Sequence, residues 1–240
     1  MGFKDEPRYY EIEGVGKLPS VTTIVKAMAK PGLYKWYENQ GTKKAFEILD
    51  KISVMSPFIH QAILKQLPTG FMKAGSDMRD DAAKKGTLAH SVIEKLTKGE
   101  KVDLTTYADE VQNAVGQFKK WRDKHDIEFI KSEAVVHSEI HRYAGTMDAL
   151  IRLDGVVTLA DYKTSKGIFP EYHMQGIAYK KAVEEMTGEQ VPDVLILRFG
   201  KDGSFDDAIV PPEEHDEIFD TFIHLMPVWK WMMKVKILGG

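Results

Sequence analysis

Apolar residues recur along this chain in two periods, and the switches between them mark out its elements. Residues 8–19 hold Gly14 and Gly16 between short apolar runs, which predicts a strand pair. After Pro19 the spacing lengthens. Ser20 is a good N-cap, and Val21, Ile24, Val25 and Met28 form a stripe, so a helix is expected up to Pro31-Gly32. Leu33 to about Asp50 and Pro57 to Leu67 are helical in pattern as well. From 80 to 98, Leu88, Ala89, Val92, Ile93 and Leu96 build one helix face, with His90 and Glu94 one turn apart at its edge. From 107 to 125, Val111, Ala114, Val115, Phe118 and Trp121 repeat the pattern. The period then changes. Residues 127–137 read as a strand, 143–163 as two more, and 169–187 as a helix closed by Gly188. The run Asp193–Gly200 is continuously apolar at its centre, as in a strand buried on both faces. Residues 204–210 make a last strand, and Pro211-Pro212 opens a final helix to about Lys236.

Helices, strands, a crossing helix and more strands add up to an α/β fold, a central sheet flanked by helices. No linker or repeat interrupts the pattern. Residues 1–240 therefore read as one domain, with a mostly helical extension over 1–80, a core over 81–210 and a C-terminal helix over 211–240.

Within this plan the stretch Tyr143–Ser165 stands out. Asp154-Gly155 is a strong two-residue hairpin signal, because both central positions of such a turn take positive φ. Counting outward from that turn, Leu153 faces Val156, Leu150 faces Leu159 and Asp148 faces Asp161. Opposed carboxylates ~5 Å apart repel, and apolar neighbours worsen the repulsion. A bound divalent cation is the simplest offset. By period two, Lys163 shares the face of Asp161. Mg²⁺ or Mn²⁺ suits the oxygen donors, and His90 can add a nitrogen that Mn²⁺ tolerates better. Such an ion acidifies water into a nucleophile, while Lys163 can orient that water or stabilise charge on phosphorus. Phosphodiester hydrolysis fits this set. A structural ion network fits the same residues.

Composition narrows the possibilities. The chain has 240 residues, 43% of them hydrophobic, and a net charge of −3. That charge does not announce a nucleic-acid binder, although a basic groove can be local. There is no cysteine, which excludes disulfides, zinc–thiolate sites, iron–sulfur clusters and thiol catalysis. No apolar run approaches the ~20 residues that span a bilayer, and MGFKDEPRYY lacks a signal core. A soluble, cytoplasmic, membrane-free protein is expected, from a bacterium or a phage-infected cell.

Four short patterns then occur in order: Gly86-Thr-Leu-Ala-His90, Gly145-Thr-Met-Asp148, Asp161-Tyr-Lys163-Thr164 and Gln175-Gly-Ile-Ala-Tyr179. They resemble the GxxxH, GxxD, DxKT and QxxxY motifs of the RecB-like exonuclease branch of the PD-(D/E)XK nuclease superfamily. Leu18-Pro-Ser-Val-Thr-Thr-Ile24 is similar to the opening of stand-alone members, phage exonucleases and mitochondrial genome maintenance exonucleases among them. The resemblance covers roughly residues 18–180. It implies a restriction-endonuclease-like core and a metal-dependent DNA exonuclease acting on single strands or ends. A structure-specific or restriction-type endonuclease is the alternative within that core; a non-catalytic DNA-end-binding recombination accessory protein lies outside it.

Carried over by position, the resemblance makes His90, Asp148, Asp161 and the Tyr162 carbonyl metal ligands for one or two ions, and Lys163 the catalytic lysine. Gln175 and Tyr179 would frame the site. Glu133 is a further carboxylate candidate, and Glu94 a surface residue or a support for His90. Lys84, Lys85, Thr164, Trp36 and Tyr37 are candidates for nucleic-acid contact, with Tyr34, Lys43 and Lys44 beside them. Without GxxxxGK[ST] or room for a motor, an ATP-independent enzyme is expected, with DNA as its partner and a separate recombination or replication protein as a further candidate partner.

Overall fold

The computed structural model describes residues 7–28, 77 and 80–238. The chain divides into two compact units, Met1–Met28 with Leu88–Gly240, and Ala29–Thr87. Of the second, residues 77 and 80–87 are described, and all are helical. The helices expected over 33–50 and 57–67, with Tyr34, Trp36, Tyr37, Lys43 and Lys44, lie outside the described residues.

The first unit opens with the expected strand pair. Strands β1 (Tyr9–Ile12) and β2 (Gly16–Pro19) run antiparallel, with Tyr10 opposite Leu18. The Ser20 hydroxyl accepts the Thr23 amide at 3.1 Å and starts helix α1 (Val21–Val25). This helix is shorter than its apolar stripe suggests. The Ala27 and Met28 amides bond three residues back, so the chain tightens into a turn at Lys26.

Helix α2 (residues 80–97) buries Ala89, Val92 and Ile93. Leu88, expected on that face, is exposed. At ~100° per residue it lies about a quarter turn from the face's centre. Helix α3 (Asp109–Arg122) buries all five residues of its expected stripe.

Strands β3 (Ile127–Ser138), β4 (Tyr143–Leu153), β5 (Val156–Lys163), β6 (Asp193–Phe199) and β7 (Phe205–Ile209) form one mixed sheet in that order. Helix α4 (Pro170–Thr187) carries the chain between β5 and β6, the one parallel pair. Helix α5 (His215–Leu238) follows β7. One sheet face packs Ala149, Ile151, Ala160, Tyr162, Leu197 and Phe199 against α2 and α3. The other packs Tyr143, Met147, Leu150, Leu159 and Ile196 against α1, α4 and α5. The fold is thus α/β, a five-stranded mixed sheet between helical layers. No helix among the described residues is long and apolar enough to cross a membrane.

The β4–β5 hairpin has the expected turn. Asp154 and Gly155 both take positive φ, 48° and 91°, and Leu153 pairs with Val156. The register holds through Leu150–Leu159 and Ala149–Ala160. There the pairing ends, one step short of Asp148 and Asp161. The expected face-to-face pair of aspartates is therefore replaced by a fork between β4 and β5.

Candidate metal centre

Asp148 sits at this fork because β4 changes face there. Met147 packs on the α4 side, yet Ala149, two residues on, packs on the α2–α3 side. Strict alternation would keep both on one face. On the neighbouring strand, Ser132 pairs with Ala149 and Ala134 with Met147, so Glu133 falls across from Asp148. Glu133 has φ +50°, a left-handed conformation in mid-strand for a non-glycine residue. Such strain persists only where the surroundings impose it, and it clusters at functional sites.

The break frees the Asp148 carboxylate to do what a strand carbonyl would do. Its Oδ2 accepts the Tyr162 amide at 2.6 Å, replacing the missing ladder bond. Its Oδ1 lies 3.4 Å from His90 Nδ1, on α2. Glu133 joins them: one donor atom each from His90, Glu133 and Asp148 lie within 4.8 Å of one another. Burial raises the Asp148 carboxyl, but His90, the Lys163 ammonium and the Tyr162 amide outweigh it and hold the group below its ordinary value. Burial lowers His90, and Asp148 reverses that to a net rise. Among the described residues Glu133 makes no such hydrogen bond or ion pair, and His90 and Lys98 offset its rise only in part. Burial, then the Asp148 charge, pushes it up to about 7.

The second half of the site follows from β5 and α4. Asp161 is 1% exposed. Its Oδ2 meets the Lys163 ammonium at 2.5 Å, a contact of charges rather than a directed hydrogen bond. Its Oδ1 has no hydrogen-bond partner. Burial holds this carboxyl above the ordinary value, against the pull of Lys163. Lys163 is itself pushed up, because Asp161 and Asp148 overcome its desolvation. Its ammonium donates to Gln175 Oε1 at 3.2 Å, and Gln175 Nε2 donates to the Tyr179 hydroxyl at 3.0 Å. Gln175 and Tyr179 are four apart on α4, one turn of one face. Lys163 Nζ also lies 4.9 Å from the centre of the Tyr172 ring, on the same helix.

Gly145 joins the two halves. A Cβ there would overlap the ring of Tyr179, so only glycine lets α4 approach β4 this closely. The adjacent Thr146 shares a 2.9 Å hydrogen bond with the hydroxyl of Tyr10, on β1.

The sequence-derived candidates fall as follows. His90, Asp148, Asp161, Lys163, Gln175 and Tyr179 converge, and Glu133, the further carboxylate candidate, joins His90 and Asp148. The amide of Tyr162 is taken by Asp148; its ring packs with Phe118 and Phe199. Glu94 does not hold His90. It pairs with Lys98 at 2.5 Å, one turn on. Thr164 is half-buried directly after Lys163. Lys84 is exposed, and Lys85 pairs with Asp81 at 3.1 Å; both belong to the second unit. Tyr10 and Tyr172 were not singled out in the sequence. Tyr172 had a signal, three residues before Gln175 on one face of α4.

The donor set suits a divalent cation. Two carboxylates and an imidazole converge, and beside them a buried carboxylate oxygen lacks a partner. An orphaned buried acceptor costs about 1–3 kcal/mol, which a cation would relieve.

No protein-family profile and no characterised protein matches the chain. Among solved structures it is similar to a protein from Eubacterium rectale named "Putative exonuclease", with a TM-score of 0.43 and 13% identity. The likeness spans 60% of this chain and 66% of that one.

Proposed function

We propose that this chain is a divalent-metal-dependent DNA exonuclease of the RecB-like PD-(D/E)XK type, hydrolysing phosphodiester bonds in single-stranded DNA or at DNA ends without ATP. The observation that carries this reading is the convergence of His90, Glu133 and Asp148 with the Asp161–Lys163–Gln175 chain at one fork of the sheet. His90, Glu133, Asp148 and Asp161 would hold Mg²⁺ or Mn²⁺, with the Tyr162 carbonyl as the further donor the motif resemblance implies. Bound there, such an ion supplies Lewis acidity, polarising a phosphoryl oxygen and acidifying water.

The chain's own residues do the rest. Asp148 ties the metal half to the backbone of β5 through the Tyr162 amide, so the two aspartates keep a fixed separation. Lys163 stays protonated at neutral pH and brings a full positive charge to the developing charge on phosphorus. Gln175 and Tyr179 hold the ammonium in one orientation, which spares reorganisation during the reaction.

The test is a digest of end-labelled linear DNA and covalently closed single-stranded circles with Mn²⁺. The expected outcome is nucleotide release from linear DNA and intact circles. Lys163→Ala should lower cleavage about 100- to 1,000-fold while DNA binding persists. Rapid cutting of circles would replace the exonuclease by an endonuclease, and parental rates in Lys163→Ala would remove the lysine from the chemistry.

A further inference from the structure

The N-terminal strand pair carries a cation that the proposed site does not use. Arg8 precedes β1, and its backbone is fixed on both sides. Its amide donates to Thr23 Oγ1 at 3.0 Å, and its carbonyl accepts the Ser20 amide at 2.9 Å. Its side chain is exposed, with the guanidinium 4.8 Å from the centre of the Tyr10 ring. Among the described residues it forms no ion pair.

Tyr10 is not a free surface ring. Its hydroxyl is bonded to Thr146, two residues before Asp148 in the Gly145–Asp148 motif. Thr146 follows Gly145, whose backbone lies against the Tyr179 ring. Tyr179 leads through Gln175 to Lys163. A second contact holds the end of the strand pair to β4, the parallel bridge between Ser20, directly after β2, and Ala144. A ledge therefore runs from an exposed guanidinium, across a tyrosine ring, to Thr146, two residues before Asp148.

An exposed arginine fixed at its backbone and carried on an aromatic face adds little to stability, because solvent screens the cation–π attraction there. It suits a different task. Stacking orients the planar donor fork, and the fork matches a phosphate. A nucleic-acid strand whose scissile phosphate lies at the carboxylates must leave the site across some surface. The ledge offers a phosphate contact beside a π-face, the pair of elements that single-strand grooves combine.

We infer that Arg8, carried on Tyr10, binds a backbone phosphate of the DNA strand next to the one being cut. This rests on the reading of the site as a DNA hydrolase, which the first arm below tests separately.

The experiment compares the full chain with Arg8→Gln, Arg8→Lys and Lys17→Gln. Lys17 is the internal control. It is exposed and stacked 4.6 Å over Tyr9, so its loss removes the same charge from the same strand pair. In the first arm, hydrolysis of a labelled oligonucleotide with Mn²⁺ reports the chemistry. In the second, fluorescence anisotropy of that oligonucleotide with Ca²⁺ in place of Mn²⁺ reports binding at a series of salt concentrations. Arg8→Gln should weaken binding about tenfold and reduce the slope of log K against log[salt] by about 0.7, the loss of one single-strand phosphate contact. Arg8→Lys should restore the slope, and Lys17→Gln should leave it at the parental value. In the first arm Arg8→Gln should raise KM and leave kcat within about twofold.

Equal slopes for the parent and Arg8→Gln overturn the inference, as does an equal loss in Lys17→Gln. A parent that binds but does not cut overturns the hydrolase reading, and the slopes still judge Arg8. A parent that neither binds nor cuts overturns both.

Discussion

Glu133 is the residue on which the site's electrostatics turn. Asp148 has His90 and a backbone amide, and Asp161 has Lys163; Glu133 is carried up to about 7 by burial and then by the Asp148 charge, which outweigh the pull of His90 and Lys98. Without a cation its charge therefore opposes folding. Its folded value lies above the ordinary 4.5, so the fold favours the protonated form. That contribution is complete below about 4.5 and is lost as pH rises through about 7. Half-exposure to solvent screens the effect, which leaves about 1 kcal/mol. Glu133→Gln should raise the melting temperature by roughly 2–4 °C at pH 8 in EDTA and leave it unchanged at pH 4. With Mn²⁺ the order should reverse, because the parent gains a ligand that the variant lacks. Thermal melts at both pH values, with and without Mn²⁺, check this. A variant no more stable than the parent at pH 8 in EDTA would remove Glu133 from the cluster.

At the scale of elements, the site depends on how closely α4 lies against β4. Gly145 sets that distance. Gly145→Ala drives a methyl into the Tyr179 ring, and overpacking of this kind costs about 1–3 kcal/mol. The displaced Tyr179 releases Gln175, and Gln175 releases Lys163. Misplacement by about 1 Å can cost 100-fold in rate. Gly145→Ala should therefore lower kcat about 10- to 100-fold with Mn²⁺ binding retained. Adding Tyr179→Leu should recover part of the stability and none of the rate, a split visible by pairing melts with steady-state kinetics.

The hairpin between β4 and β5 was legible in the sequence, since Asp154-Gly155 fixes the turn and the turn fixes the register from Leu153–Val156 to Ala149–Ala160. Its end was not legible. Period-two counting assumes unbroken alternation, and β4 switches face at Asp148. The switch coincides with Glu133, fifteen residues away on the neighbouring strand, which adopts a conformation no local signal announces. Strained positions of this kind are where sequence-level reasoning fails, because the surrounding fold and not the local chain enforces them.

Across the whole molecule, the same division recurs. Both helical layers, the order of elements and the buried β6 follow from apolar spacing. The motif residues His90, Asp148, Asp161, Lys163, Gln175 and Tyr179 come from α2, β4, β5 and α4, and the folded sheet brings them to one fork. Tyr10 gave no warning: 136 residues separate it from Thr146, and one tyrosine in a four-residue strand carries no period. A net charge of −3 also conceals the site, because carboxylates gathered there are part of that total.

The central claim is that one carboxylate cluster both holds a divalent cation and makes DNA cleavage depend on it. The most direct measurement is nucleotide release from end-labelled single-stranded DNA over a Mn²⁺ titration, with Asp148→Asn run in parallel. The account predicts release that rises with Mn²⁺, stops in EDTA and is absent from Asp148→Asn at every concentration. Cleavage that survives EDTA, or that Asp148→Asn retains at the parental rate, would contradict it.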